Sequence, residues 1–206
     1  MENFLKKGIS KNPKNDKKEV ETKEIQSNNI WLKKTNKFTN MIYLEEFSTP
    51  EMPVILSVGN KERHNSLTIG WGSLGVECKK PIFTVYVKPD TYTYEFMEKY
   101  NIFTVSLVKG NIYNNFILYG SISGRNFDKE KISDTPIKYL EDGEITFEEE
   151  IEVFVSKKIA YSHLKDEEFD KSIIDLYNNN LQVFASTKPH SVYIGEIIGY
   201  YIKEEE

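Results

Sequence analysis

The feature that most constrains this chain is the rhythm of its apolar residues after Met52, which come in short runs alternating with period two and closed by glycine, proline or asparagine. That period places successive side chains on opposite faces of an extended strand, and a series of such runs favours sheet over helix. Pro53-Val-Ile-Leu-Ser-Val58 and the polar tip Gly59-Asn-Lys-Glu-Arg-His64 read as half a hairpin, with Ser66-Leu-Thr-Ile-Gly-Trp71 as the return strand. A glycine-containing bend, Gly72-Ser-Leu-Gly75, leads to a third strand, Ile82-Phe-Thr-Val-Tyr-Val87. Further strands are expected over 102–108, over 145–160 as one long bent strand, and over 191–203, where Gly195 and Gly199 allow bending or close approach.

Helical spacing is confined to short segments at 93–100, where Phe96 and Tyr100 share a face, at 111–119 and at 172–177. Short strands in series with a few helices between them predict a mainly β fold with short helices, a small barrel rather than a parallel α/β sheet. No internal repeat and no glycine-rich phosphate loop of the dinucleotide or Walker type is present, so nothing supports a Rossmann or nucleotide-hydrolase reading.

Charge divides the chain. Residues 1–38 hold ten Lys/Arg against five Asp/Glu, whereas the whole chain carries a formal charge of -5, so a basic arm precedes an acidic body. The arm has few apolar residues to bury and reads as a partly ordered extension with a short helical stretch, tethered by Trp31 and Leu32. The body, residues 39–206, is read as one domain. The acidic balance argues against nucleic acid as a partner. No apolar run approaches the length of a membrane span, and a single cysteine, Cys78, fits a reducing cytoplasm as the default. Lysines flanking Cys78 would lower its thiol pKa if it is exposed, although a resting thiol is the plainer reading. The clusters 148–150 and 204–206 read as solvated charge rather than metal ligands, because neighbours on a strand point to opposite faces.

Four ordered stretches resemble the FMN-binding split-barrel family of flavin reductase-like proteins: Asn65-Ser-Leu-Thr-Ile-Gly-Trp-Gly72; Val85-Tyr-Val-Lys-Pro-Asp-Thr-Tyr-Thr-Tyr-Glu-Phe96 running on to Phe103-Thr-Val-Ser106; Ser123-Gly-Arg-Asn-Phe-Asp-Lys129; and His190-Ser-Val-Tyr-Ile-Gly-Glu196. They cover roughly residues 50–200 and leave the arm outside. The resemblance implies a split β-barrel that binds FMN, works as a homodimer with flavin near the subunit interface, takes electrons from NADH or NADPH and passes them to flavin or another small-molecule acceptor. A noncatalytic FMN-binding electron carrier or redox sensor is the alternative.

On that footing Asn65, Thr68, Ile69, Gly70 and Trp71 are candidates to meet the polar edge of the flavin ring. The chemistry would come from main-chain groups, the close approach allowed by Gly70, and a side-chain hydrogen bond from Thr68 or Asn65. Lys88, Thr91, Tyr92 and Thr93 lie where a strand end meets a helix N-terminus, a setting that favours a phosphate, though Thr91 and Thr93 suit helix capping equally. The family commonly has arginine where Thr91 stands, which removes a bidentate donor. Ser123, Gly124, Arg125 and Lys129 form a candidate anion clamp, with Arg125 open to phosphate, substrate or the partner subunit. His190 is the candidate catalytic residue, as a general acid or equally as a binding group. His64 and His163 read as exposed loop or strand-end residues.

Overall fold

The computed structural model describes residues 24–27, 30–34, 53–108, 118–133, 135–148, 150–179 and 189–203. In chain order the elements are β1 (Glu24–Ser27), β2 (Ile30–Lys34), β3 (Val54–Gly59), β4 (His64–Thr68), β5 (Gly72–Glu77), β6 (Lys80–Val87), α1 (Tyr92–Lys99) and β7 (Ile102–Val108), followed by α2 (Lys129–Ile132), β8 (Ile137–Tyr139), β9 (Ile145–Phe147), β10 (Glu150–His163), α3 (Lys171–Asn179) and β11 (Ser191–Lys203). Seven strands run antiparallel in the order β5-β6-β11-β10-β7-β3-β4, and β8 pairs with β9 apart from them.

This sheet curls, and small residues let it. Phe83 on β6 and Phe154 on β10 bring their ring centroids to 5.3 Å although β11 lies between them. Flat strands two places apart would be ~9.6 Å apart. Gly195 of β11 sits at the centre of the bend: a Cβ there would stand 2.5 Å from Cζ of Phe103 and 2.7 Å from Cβ of Ser156. The missing side chain is thus the space that Phe103, from β7, fills. Register shifts in β10 between Val155 and Ser156, and again between Lys158 and Ala160, bend the long strand along the same curve. Valines and phenylalanines of β3, β6, β7 and β10 fill the interior, closed at one end by Phe96 and Met97 of α1. The architecture is a split β-barrel with short helices at its edges.

Several boundaries differ from the sequence expectation. The segment from Gly72 is a strand, not a bend, because β5 pairs along its whole length with β6 through the two-residue turn at Cys78 and Lys79. Both turn residues have positive φ, 49° and 64°, the conformation that matches the twist of a tight hairpin. The return strand of the first hairpin begins at His64 and ends at Thr68, so Ile69, Gly70 and Trp71 form the link to β5 rather than mid-strand positions. The long strand expected over 145–160 is two, β9 and β10. Where a short helical stretch was expected in the arm, β1 and β2 make a hairpin, and β2 pairs with Tyr201–Lys203 beyond the point where β6 leaves β11. The helix expected over 111–119 lies outside the described residues except at Leu118 and Tyr119, which are helical. No helix among the described residues is long and apolar enough to cross a membrane.

Candidate functional site

A cavity of about 330 Å³ opens between β4, the start of α1, the loop at 123–128 and α2. Of the residues singled out from sequence, Asn65, Tyr92, Gly124, Arg125 and Lys129 line it. The fold brings them together because β3–β4 and the β6–α1 connection end at the same rim, and the loop before α2 folds back across both.

Lys129 is the most telling of them. Its side chain is buried, with the residue only 7% exposed. Nζ donates to the main-chain carbonyls of Ser66 at 2.9 Å and Tyr119 at 3.3 Å, and stands 5.6 Å from the centroid of the Tyr119 ring. Among the described residues no carboxylate pairs with it: its neighbours Asp128 and Glu130 face Lys131 and His64. Burial alone pushes the ammonium down to about 8. Among the described residues two carbonyls use two of its three N–H donors, which leaves one for an anion in the cavity.

Asn65, also buried, donates from Nδ2 to Oγ1 of Thr93 at 2.7 Å, locking β4 to the first turn of α1. Gly124 lies so close that a Cβ there would fall 2.1 Å from Oδ1 of Asn65, so only a glycine lets the loop reach this wall. Thr91 caps α1: its Oγ1 accepts from the Tyr94 N–H at 3.3 Å and donates to the Lys88 carbonyl at 2.8 Å.

Arg125, proposed above as an anion clamp, is turned to α1. It donates to Oε1 of Glu95 from Nε at 2.9 Å and from Nη2 at 2.7 Å, and to the carbonyls of Asp90 at 2.9 Å and Thr91 at 3.3 Å, while lying over the Tyr92 ring. It staples the loop to the helix. Ser123 supports the same loop, its Oγ accepting from the Arg125 N–H at 3.3 Å.

Lys88, Trp71 and His190 form a second group just outside the cavity. Trp71 meets His190 edge to face at 4.9 Å, and the indole remains 42% exposed. His190 is buried, and desolvation, with the nearby Lys88 cation, pushes its imidazole down to about 4. Such an imidazole is neutral at neutral pH and holds no imidazolium proton to give, which favours the binding role over the general acid. Lys88 is likewise pushed down by burial, against the pull of Asp90. In the connecting link, the Ile69 N–H is spent on the Val54 carbonyl at 2.9 Å, whereas Gly70 is exposed and nothing lies within 4 Å of where its Cβ would be. Thr68 lies beside the rim, close to Gly120.

Several lining residues escaped the sequence reading. His64 is not an exposed tip residue: its side chain is 9% exposed, its Nε2 faces Oε1 of Glu130, and its Nδ1 lies 3.0 Å from the Asn60 carbonyl. Phe127 adds flat apolar surface at 56% exposure, and Tyr119, buried against Phe147, stands behind the wall. No local pattern marks any of these; they meet only because the loop closes over β4. Cys78 is exposed, and its hydrogen bond to Glu77, at 3.2 Å, pushes the thiol up rather than down, so the flanking lysines do not activate it.

No family model and no curated protein matches the sequence. Solved structures do match the fold. An FMN-binding protein from Thermus thermophilus, with bound p-hydroxybenzaldehyde, aligns at a TM-score of 0.57 and 17% identity over 82% of this chain and 78% of its own. A flavoredoxin from Methanosarcina acetivorans aligns at 0.57 and 18% over 82% and 76%. An NADH:FAD oxidoreductase from Streptomyces globisporus C-1027, in complex with NAD and FAD fragments, aligns at 0.53 and 14% over 76% and 79%. At these identities the likeness is one of fold: the chain has the split-barrel fold of the flavin reductase-like FMN-binding proteins.

Proposed function

We propose that this protein is an FMN-dependent oxidoreductase that takes hydride from NADH or NADPH and passes electrons to flavin or another small acceptor. The observation that carries the reading is Lys129, a buried ammonium that no carboxylate among the described residues pairs with, in the wall of a cavity in this fold. A buried cation kept without a counter-charge costs folding free energy, and a bound anion removes that cost.

The residues present fit FMN. The cavity is within the size range of small-molecule sites. It offers a cation for an anionic group, the Asn65 carboxamide beside it, and the exposed face of Phe127 for a ring system. FMN supplies a ring that accepts a hydride and releases electrons singly or in pairs. Around it, Lys129 holds negative charge and Asn65 fixes the rim against α1. Arg125 and Thr91 hold the loop and helix that frame the cavity. Trp71 and the neutral His190 form the apolar approach on which a nicotinamide would lie. We place the protein in the cytoplasm as a homodimer with flavin near the subunit interface.

The test is a visible absorption spectrum of the purified protein after FMN loading and removal of excess, followed by anaerobic NADH and then NADPH. A retained flavin spectrum that bleaches is expected. Retention without bleaching would replace the enzyme with an electron carrier or sensor, a reading favoured by Arg125 being committed to Glu95 rather than open to a phosphate. Absence of any FMN effect on the folded protein, and of any flavin reduction, overturns both.

A further inference from the structure

One ammonium in the cavity wall leaves a phosphate short of positive charge. A phosphate monoester carries about -1.5 to -2 at pH 7. Lys129 supplies a single charge and gives two of its N–H donors to carbonyls. Most other cations around the cavity are engaged elsewhere. Arg125 is bonded to Glu95 and Lys131 to Asp128. Lys61 lies over the Tyr139 ring at 5.5 Å, and Lys88 stands with His190 outside the cavity.

Arg63 differs from all of these. Its Nη2 donates to the hydroxyl of Tyr92 at 2.8 Å, and Tyr92 lines the cavity. Among the described residues no carboxylate forms an ion pair with Arg63. Glu95, whose charge Arg63 feels, is itself held by Arg125. A guanidinium has five N–H donors in a fixed fork, and this single hydrogen bond to a neutral hydroxyl leaves four.

We propose that Arg63 is a second anion-binding group, which meets the phosphate of the cavity's ligand from the mouth while Lys129 meets negative charge from the wall. That the ligand is FMN rests on the reading above; the anion-binding role of Arg63 rests on the geometry. The guanidinium is set in place before any ligand arrives. The hairpin tip that carries it is closed by Asn60, whose Oδ1 accepts from the N–H groups of Glu62 at 3.1 Å and Arg63 at 2.9 Å, and whose own N–H donates to the Arg63 carbonyl at 3.0 Å. Gly59, at a φ of 130°, lets the chain enter this turn: a Cβ there would fall 2.3 Å from that same carbonyl oxygen. The side chain then folds back across α1, with Cζ 5.6 Å from the centroid of the Phe96 ring and its end on Tyr92. The next three residues, His64, Asn65 and Ser66, line the cavity, so the tip cannot shift without moving the wall. A donor fork held in this way has less freedom to lose on binding than a solvated arginine.

FMN and riboflavin differ only by the phosphate, and their dissociation constants, read by flavin fluorescence, test the assignment. Arg63→Gln should weaken FMN about 10- to 100-fold, the range for loss of a hydrogen bond between charged groups, and leave riboflavin unchanged. Lys61→Gln removes a cation from the same hairpin tip and should change neither. Equal loss of both flavins in Arg63→Gln would mean that Arg63 acts only by holding Tyr92, and it overturns the proposal. So does an unchanged FMN affinity, or a wild type that binds the two flavins equally well. If Arg63→Gln does not fold, Arg63→Met supplies the same comparison. Failure of wild type to bind either flavin overturns the flavin reading and leaves inorganic pyrophosphate to decide Arg63. Pyrophosphate should then raise the Tm of wild type and not that of Arg63→Gln, whereas an equal rise in both, or none in either, overturns the anion site.

Discussion

At the scale of single residues, burial holds two basic groups below their ordinary values, so the fold favours the neutral form of each. Lys129 is held below its ordinary value, at about 8, because its charge is desolvated. Below that pH the folded state carries an ammonium it would rather lose, so a methionine of similar length at this position should leave Tm unchanged or higher. The same Lys129→Met change should weaken FMN binding about 10- to 100-fold, the range expected when a hydrogen bond to a charged group is lost. Thermal unfolding with and without FMN reads both effects, and an unchanged affinity would remove Lys129 from the site. His190 works through the same linkage. Its folded value of about 4 lies below the ordinary 6.5, so between those values the unfolded chain binds more protons. Its contribution to stability is complete above about pH 6.5 and is lost as the solution is acidified toward about 4. Denaturant unfolding across that window should show a slope in wild type that is reduced in His190→Gln.

At the scale of elements, what decides the shape is where a strand lacks a side chain. Gly195 lies opposite Phe83 on one neighbour and Lys158 on the other, and the ring of Phe103 occupies the space above it. Gly195→Ala would place a methyl group 2.5 Å from that ring, with Ser156 blocking retreat on the other side. The expected cost is about 1–3 kcal/mol, read as a fall in the denaturant midpoint at unchanged slope. By contrast Gly75→Ala, on exposed β5 with its nearest neighbour at 3.6 Å, should be close to neutral. The elements also show how far local pattern reaches. Short apolar runs closed by turn residues located β3, β6, β7 and β11, although only β11 shows alternating burial, whereas β3 and β7 are buried along nearly their whole length. They missed β5, whose residues are mostly exposed and whose two glycines read as a bend. Nothing in 72–77 alone requires a strand; pairing with β6 supplies it.

At the scale of the whole molecule, the acidic body and basic arm meet along β11, where β2 adds to the sheet edge. Homodimer formation is expected, and sedimentation velocity with and without FMN measures it. A monomer at all concentrations would move the flavin site wholly within one chain.

The sequence by itself determined the class of fold and named several residues that line one cavity. Alternation and turn residues predict a mainly β fold with short helices, and the resemblance carried by the four ordered motifs implies a split barrel, because those signals are local or depend only on order along the chain. The motifs also named Asn65, Thr93, Gly124 and Lys129, which the structure gathers at one rim. Only the tertiary structure decided what those residues face. Whether a lysine is buried without a carboxylate, whether Arg125 meets an anion or Glu95, and whether His64 finds Glu130 are set by segments distant in sequence that close over one another. Burial and charge pairing belong to that closure, and no window of neighbouring residues carries them.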